Sequence, residues 1–212
     1  MKGLWRMGLV SAFISLFAGQ ALSDTAKGIV AYRKGDYPTA VSELEKAAAA
    51  GDAQAFFNLG VLHAEGKAGP RDMAKAVNYY RKGADGGSVL AAYNLAQAYR
   101  KGDGVTQNYA DAARWYEFAA KHGDFRAGNE LGLLYVEGKG VKADPVEGFA
   151  WIYPSTHATI MDDSAMANAM QLASMMNSDQ VQEAQKRGRS YYETYFEPNM
   201  DTVEAILKSR GK

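Results

Sequence analysis

The feature that most constrains this chain is a pattern that recurs every 36 residues in its central part. The stretch Val89–Asp124 is matched at that offset by the segments before and after it. Self-similarity of this length is typical of stacked helical pairs, each burying its apolar side against its neighbours. The period therefore predicts an all-α fold, a right-handed α-solenoid of antiparallel helix pairs. The positions that carry the period are Leu59, Leu95 and Leu131; Gly66, Gly102 and Gly138; Asp72, Asn108 and Asp144; and Tyr79, Trp115 and Trp151.

Each unit is predicted to form two helices joined by a glycine-containing turn. The turn begins at the periodic glycine and ends at the periodic Asp or Asn, whose side chain caps the second helix. Gly60, Ala96 or Gly132 lies beside the central leucine of the first helix, so close helix crossing is expected there. The second helices carry aromatic residues that wedge between neighbouring pairs. We therefore expect Trp115→Ala to cost about 3–5 kcal/mol.

The repeated residues resemble a known family. The order small-x-x-x-Leu-Gly, Tyr, Gly-x-Gly-Val, Asp, Ala, Trp-Tyr-x-x-Ala-Ala and Gly-Asp is similar to the Sel-one-like repeat, a relative of the tetratricopeptide repeat. Val89–Asp124 follows this order nearly throughout, with Ala96 in place of the usual glycine, whereas Ala53–Ser88 has Ala68-Gly69-Pro70 in place of Gly-Val. The resemblance implies an α-solenoid that binds a protein partner.

The chain is predicted to form a single α-solenoid domain. Pro154 is expected to kink or end the second helix of the last repeat, because proline removes a helical hydrogen bond. Beyond it, helices are predicted at Ser164–Met176 and Asp179–Phe196, with an amphipathic tail at Asp201–Ser209. The predicted boundaries are 1–23 for a signal peptide, 24–52 for a short tetratricopeptide-like unit, 53–88, 89–124 and 125–160 for Sel-one-like repeats, and 161–212 for C-terminal capping helices.

The N-terminal segment has the pattern of an export signal. Lys2 and Arg6 precede the apolar run Met7–Gly19, and small residues suit cleavage after Ala21 or Ser23. The alternative is a membrane anchor, but the run is shorter than the roughly 20 residues that span a bilayer. The pattern favours removal of this segment, no stable membrane insertion afterwards, and a periplasmic or secreted protein.

The composition offers little for catalysis. The formal net charge of zero does not indicate the excess of basic residues that is typical of nucleic-acid-binding proteins. The absence of cysteine excludes disulfides, thiolate metal sites and cysteine nucleophiles. His63 is expected to pack at the end of a first helix, and His122 lies in a turn. Neither these nor His157 has a catalytic partner at motif spacing. The sequence predicts no catalytic residue, no metal, no cofactor and no nucleic-acid partner.

Five of the nine methionines cluster near the C-terminal part, namely Met161, Met166, Met170, Met175 and Met176. Thioethers are ligands for Cu(I), so a copper site is one interpretation. The other is an ordinary buried stripe of Met166, Met170 and Ala173, since methionine fills irregular gaps in cores. The helical spacing favours the buried stripe.

Aromatic and basic residues alternate in the last predicted helix, around Tyr191, Tyr192, Tyr195 and Phe196. A nucleic-acid or membrane surface is one interpretation. Docking onto the last repeat is favoured, because Tyr192, Tyr195 and Phe196 lie near one helical face.

A binding face is predicted along the first helices of the repeats, if tetratricopeptide-like geometry carries over. Its aromatic and amide side chains have the composition of a concave peptide-binding groove. We call the following nine residues the candidate binding face: Phe57, Asn58, Val61, Tyr93, Asn94, Gln97, Arg100, Asn129 and Leu133.

The favoured function is a non-enzymatic exported scaffold or adaptor that binds a protein or peptide through this face. An envelope assembly is the expected setting, such as a flagellar motor, a secretion system or a polysaccharide exporter. Cysteine-rich relatives with this repeat are linked to β-lactam binding or hydrolysis, so a secreted hydrolase is the alternative; this chain lacks their cysteines. A methionine-based copper-binding protein is the other alternative.

Overall fold

The structure of the protein, a computed structural model, describes residues 20–157 and 163–199. Apart from short connections, these residues are helical, and they contain no strand. The α-helices are α1 (described over 20–33), α2 (Tyr37–Ala49), α3 (Ala53–Ala64), α4 (Met73–Asp85), α5 (Val89–Lys101), α6 (Tyr109–Lys121), α7 (Phe125–Glu137), α8 (Pro145–Ile152), α9 (Asp163–Met175) and α10 (Ser178–Tyr191). They form the repeated helix pairs of an α-solenoid, which confirms the predicted fold class.

The chain divides into two compact units, and the division falls inside α5. The first unit comprises the residues up to Leu95 together with Asp103–Val105. The second comprises Ala96–Gly102 and the residues from Thr106 onward. The predicted boundaries of the repeats stay predictions, since this division follows contacts rather than the repeat period.

The second helices begin at the capping residues that the sequence predicts. The Asp72 carboxylate accepts a hydrogen bond from the Lys75 backbone N–H at 2.8 Å, and the Asp144 carboxylate accepts one from Glu147 N–H at 3.0 Å. Pro145 follows at the first helical position, where its missing N–H removes no bond. The caps therefore fix where α4 and α8 start.

The turns of the three full repeats close with the same backbone hydrogen bond. The N–H groups of Asp72, Asn108 and Asp144 donate to the carbonyls of His63, Tyr99 and Tyr135 at 3.0, 2.9 and 2.9 Å. The first of these turns contains Ala68-Gly69-Pro70 in place of Gly-Val, yet it closes in the same way.

Small residues beside the central leucines let helices cross closely, as predicted. A Cβ atom on Gly60 would lie 2.5 Å from the Tyr80 ring, and one on Gly132 would lie 2.5 Å from Ile152 Cγ1. Bulk at either position would push the two helices of a pair apart. The glycines therefore set the spacing of α3 to α4 and of α7 to α8.

Trp115 is less buried than the predicted cost of its replacement by alanine implies. Trp115 is half-buried and lies edge-on to Phe118 at 6.0 Å between ring centroids, with the Arg114 guanidinium over its other side. Its neighbour Tyr116 is fully buried. Tyr116, not Trp115, is therefore the aromatic residue of α6 that fills the core.

The chain departs from the repeat after α8, as expected from Pro154. The α-helix ends at Ile152 and continues as a 3₁₀-helix over Tyr153–His157, in which Pro154 is buried. Both predicted capping helices are present as α9 and α10. A π-helical turn, Tyr192–Phe196, and a short 3₁₀-helix, Glu197–Asn199, extend α10. Residues 1–19, which hold most of the predicted signal peptide, the tail Asp201–Ser209 and Met161 lie outside the described residues.

The aromatic residues of α10 and its π-helical turn pack on the last repeat, which confirms the predicted docking. Tyr191 and Tyr195 cover Trp151 at centroid distances of 4.5 and 6.0 Å. Phe196 is fully buried and contacts Phe125 at 4.8 Å.

The predicted buried methionine stripe of α9 is wrong. Met166 and Met170 are 39% and 68% exposed, whereas the neighbouring stripe of Ala165, Ala169 and Leu172 is buried. That stripe forms one core with Phe149 and Ile152 of α8. Small side chains let α9 approach these two large residues closely, and the methionines therefore lie outside the contact.

Candidate protein-binding face

The candidate binding face is less exposed than a simple solvated surface. Phe57 and Asn129 are buried, and the other seven residues are half-buried. Asn58, Val61, Tyr93 and Asn94 belong to the first unit. Gln97, Arg100 and Leu133 belong to the second.

The prediction that Phe57 is exposed is wrong. Its side chain is only 2% exposed, and its ring lies 6.2 Å from that of Tyr80 in the partner helix of the pair. The backbone of α3 also lies close to Gly83 of α4, where a Cβ atom would lie 3.4 Å from the Phe57 backbone nitrogen. The close approach of α3 to α4 therefore makes Phe57 a core residue.

Two asparagines occupy equivalent places on α3 and α5 and make the same bond. Asn58 Nδ2 donates to the Gln54 carbonyl and Asn94 Nδ2 donates to the Leu90 carbonyl, each at 2.9 Å. Each side chain is thus held against its own helix in a fixed orientation. In the first unit the face presents ordered amides beside the half-buried Val61 and Tyr93.

In the second unit three polar side chains form one connected cluster, which we call the Gln97–Arg100–Glu130 cluster. Gln97 Nε2 donates to Glu130 Oε1 at 3.2 Å, and Arg100 Nη2 donates to Gln97 Oε1 at 3.3 Å. The Arg100 Nε to Glu130 Oε2 distance is 3.6 Å, with side-chain exposures of 34% and 20%. The cluster joins the first helices of two successive repeats and remains accessible to solvent.

Glu130 was missed by the sequence reasoning, although the period could have found it. It lies 36 residues after Asn94 and 72 after Asn58, so it is the equivalent residue of the last repeat. Asn129 is the equivalent of Tyr93 and Phe57. Because the predicted face includes both Phe57 and Asn58 and both Tyr93 and Asn94, the 36-residue register places Glu130 on it beside Asn129.

The part of the face on α7 is covered by the chain itself. Asn168 Nδ2 of α9 donates to Asn129 Oδ1 at 3.2 Å, and Asn129 is 7% exposed. Leu133 packs against the core that α8, α9 and α10 share. The prediction that Asn129 is exposed is wrong, because α9 lies over it.

The histidines are placed in structural roles. His63 is 6% exposed and stacks on Tyr79 with 5.4 Å between ring centroids and 9° between planes, which confirms the predicted packing role. Burial lowers the pKa of His63 below its ordinary value. His122 follows the end of α6, and its Nδ1 lies 2.7 Å from the Phe118 carbonyl oxygen.

The described residues bring together little else that could do chemistry. Within residues 20–157 and 163–199, no three or more His, Cys, Asp or Glu side chains are grouped so that they could hold a metal ion. In the same part of the chain, every helix is too short or too polar to cross a bilayer.

The sequence matches one family model over most of its central part. The Sel1 repeat model matches residues 53–88, 89–124 and 127–154, close to the predicted repeats. Members of this family generally mediate protein–protein interaction. No curated protein matches the chain significantly.

Two solved structures of bacterial proteins are similar to this chain. The crystal structure of c5321, a protective antigen of uropathogenic Escherichia coli strains that displays an SLR fold, is 30% identical, with a TM-score of 0.70 over 80% of this chain. This chain spans only 36% of that protein. A Sel1 repeat protein from Oxalobacter formigenes is 28% identical, with a TM-score of 0.64, and the match covers 82% of this chain and 72% of that one. Because the family model, these two structures and the repeated helix pairs agree, residues 53–154 of this chain carry three Sel1 repeats.

Proposed function

We propose that the protein is a non-enzymatic scaffold or adaptor that captures a protein or peptide partner on its candidate binding face. The observation that carries this proposal is the Gln97–Arg100–Glu130 cluster. It combines donors and acceptors from two successive first helices, and its groups are held in place by one another. Ordered, partly desolvated polar groups on a rigid scaffold suit recognition of a peptide backbone or of polar side chains.

The cellular setting is part of the same proposal. The basic start and apolar run of residues 1–19 support export, and with it a periplasmic or secreted protein. An envelope assembly, such as a flagellar motor, a secretion system or a polysaccharide exporter, would supply large protein partners there. Localisation of a tagged full-length chain by cell fractionation tests this part, and a purely cytoplasmic signal would contradict it.

The binding proposal is tested by partner capture with matched arginine variants. The full chain is used as bait in a periplasmic extract, and captured proteins are identified by mass spectrometry. Arg100→Ala should deplete a specific captured protein, because it removes one member of the cluster. Arg71→Ala is the control, since Arg71 forms an exposed ion pair with Asp103 at 2.9 Å in a loop of the first unit.

Stability measurements separate loss of binding from unfolding. The Arg71–Asp103 pair is exposed, so Arg71→Ala should change the free energy of unfolding by only about 0–1 kcal/mol. The Arg100–Glu130 pair is half-buried, so Arg100→Ala should cost about 1–3 kcal/mol, which is less than the roughly 5–15 kcal/mol that keeps a domain folded. Equal capture by wild type, Arg100→Ala and Arg71→Ala would contradict the proposed face. Turnover of a β-lactam by the purified protein would contradict the non-enzymatic function.

A further inference from the structure

Helix α9 leaves three of its methionines exposed and buries two alanines and Leu172. Met166, Met170 and Met175 are 39%, 68% and 72% exposed, while Ala165 and Ala169 are fully or nearly fully buried. Methionine is among the residue types most often buried, and it usually serves cores by filling irregular gaps. Packing of α9 onto α8 does not use these methionines, so their placement needs another explanation.

Two of the exposed methionines share one face of the helix. Met166 and Met170 are four residues apart, so their side chains are neighbours, with Cβ atoms roughly 5–6 Å apart. Each side chain has three rotatable bonds and both are exposed, so the two thioether sulfurs can converge on one ion. Met175 lies about 140° further round the helix than Met170, at 3.6 residues per turn, and therefore points away from the pair.

We propose that Met166 and Met170 form a binding site for a soft monovalent cation, Cu(I), with Ag(I) as its redox-inert analogue. Thioethers are soft ligands that favour Cu(I) over divalent ions such as Zn²⁺, Mg²⁺ and Ca²⁺. In this step the ion exchanges two solvent or buffer ligands for two sulfur lone pairs. No electron is transferred, and the ion stays monovalent.

The chemistry of the site gives it a distinguishing property. A thioether carries no proton that must leave before it coordinates, unlike a thiol, an imidazole or a carboxyl group. Ion binding by Met166 and Met170 therefore neither releases protons nor weakens as the pH falls through the range where carboxylates and histidines are protonated. A site built on aspartate, glutamate or histidine would release protons when it binds the ion, and its affinity would fall as the pH falls.

The experiment is a titration of the purified protein with Ag(I), with the number of bound ions measured by native mass spectrometry. Cu(I) affinity is measured anaerobically by competition with a chromogenic chelator. The double variant Met166→Leu, Met170→Leu should lose one bound ion and weaken the Cu(I) affinity of this site at least about tenfold. Leucine keeps the size and helix propensity of methionine, so circular dichroism and Tm should be unchanged. Met175→Leu is the matched control and should bind like wild type.

Three outcomes would overturn the inference. The first is no binding of Ag(I) or Cu(I) to wild type at micromolar concentration. The second is an unchanged number of bound ions in the double variant. The third is an affinity of the Met166–Met170 site that falls steeply between pH ~7 and ~5, which would assign the ion to titrating groups. The site is supported if its affinity for the ion is unchanged between pH ~7 and ~5 and if the double variant, but not Met175→Leu, loses one bound ion.

Discussion

Gly140 rests directly on the backbone of Tyr109, so closely that a Cβ atom on Gly140 would overlap the Tyr109 carbonyl group. The same relationship holds 36 residues earlier, where Gly104 rests on the backbone of Met73. Tyr109 and Met73 are the first residues of α6 and α4. The turn of one repeat therefore packs against the start of the second helix in the preceding repeat.

This contact predicts that Gly140→Ala is strongly destabilising. Gly140 has a φ of +73°, and Gly35 has a similar φ of +78° but nothing within 4 Å of an added Cβ. Gly35→Ala should cost about 1–2 kcal/mol, only because alanine is disfavoured in the left-handed backbone conformation. Gly140→Ala should cost at least about 1 kcal/mol more, because the turn must also move away from Tyr109. Urea denaturation of both variants checks this, and equal losses would mean that the turn can shift at no cost.

A second prediction concerns the adjacent aromatics of α6. Tyr116 is fully buried and Trp115 is half-buried. Replacing Tyr116 should therefore lower the free energy of unfolding more, although Tyr116 is the smaller residue. We expect Tyr116→Ala to lower the free energy of unfolding by about 3–5 kcal/mol. Trp115→Ala should cost about 1–2 kcal/mol, since part of its surface is already in water. Chemical denaturation measures the free energy of unfolding of the two variants. A larger loss for Trp115→Ala would show that Trp115 contributes more to the core than Tyr116.

The period predicted the fold and the turns because both depend on local residue types. Capping side chains and the closing turn bond are set by the residue at one place in the unit, and the chain repeats that residue type every 36 positions. Pro154 likewise marks the end of the repeat pattern, and the side chain of Asn177 caps α10 close to the start that the sequence predicts for this helix.

The errors arose where burial depends on what faces a residue from another helix. On α9, the sets Ala165, Ala169, Leu172 and Met166, Met170, Ala173 have the same helical spacing and are both apolar. Periodicity cannot choose between them. The choice is made by Phe149 and Ile152 of α8, against which Ala165, Ala169 and Leu172 pack. The exposure of Phe57 was predicted wrongly for the same reason, since Tyr80, whose ring lies beside it, is on another helix.

A third prediction concerns the pH dependence of stability through His63. Burial lowers its pKa below the ordinary 6.5, and the charge of Lys75 acts in the same direction, against smaller opposing effects of Asp72 and Glu45. The unfolded chain therefore takes up a proton at a pH where the folded chain does not. The contribution of His63 to stability is complete above pH 6.5 and is lost as the pH falls below it.

The variant His63→Tyr isolates this effect, because tyrosine occupies the equivalent place in the two following repeats and does not titrate near pH 6.5. Between pH ~7.5 and ~5.5, wild type should lose more unfolding free energy than the variant. Urea titrations of both proteins at the two pH values measure the difference. Parallel pH profiles would show that His63 is protonated equally well in the folded and unfolded states.

The last prediction concerns the attachment of α10 to α8. Tyr191 donates its hydroxyl proton to Glu147 Oε1 at 2.7 Å, and Arg187 Nη1 donates to Glu147 Oε2 at 3.3 Å. Burial and the Glu147 carboxylate raise the pKa of Tyr191, so the hydroxyl remains a donor well above neutral pH. The Glu147 side chain in this pair is 16% exposed, so its oxygens have limited access to water. Tyr191→Phe should therefore cost about 1–3 kcal/mol, since it removes a hydrogen bond to a charged acceptor while the ring still covers Trp151.

Glu183→Gln is the matched control for this prediction. Glu183 accepts a hydrogen bond from the same Arg187 at 2.8 Å, but its side chain is 45% exposed in an ordinary i, i+4 pair. Its replacement should cost no more than about 0.5 kcal/mol. Denaturation of Tyr191→Phe, of Glu147→Gln and of the variant that combines them completes a double-mutant cycle, in which Tyr191 and Glu147 should be coupled. Additive losses in the double variant would mean that the hydrogen bond between Tyr191 and Glu147 adds nothing to the attachment of α10.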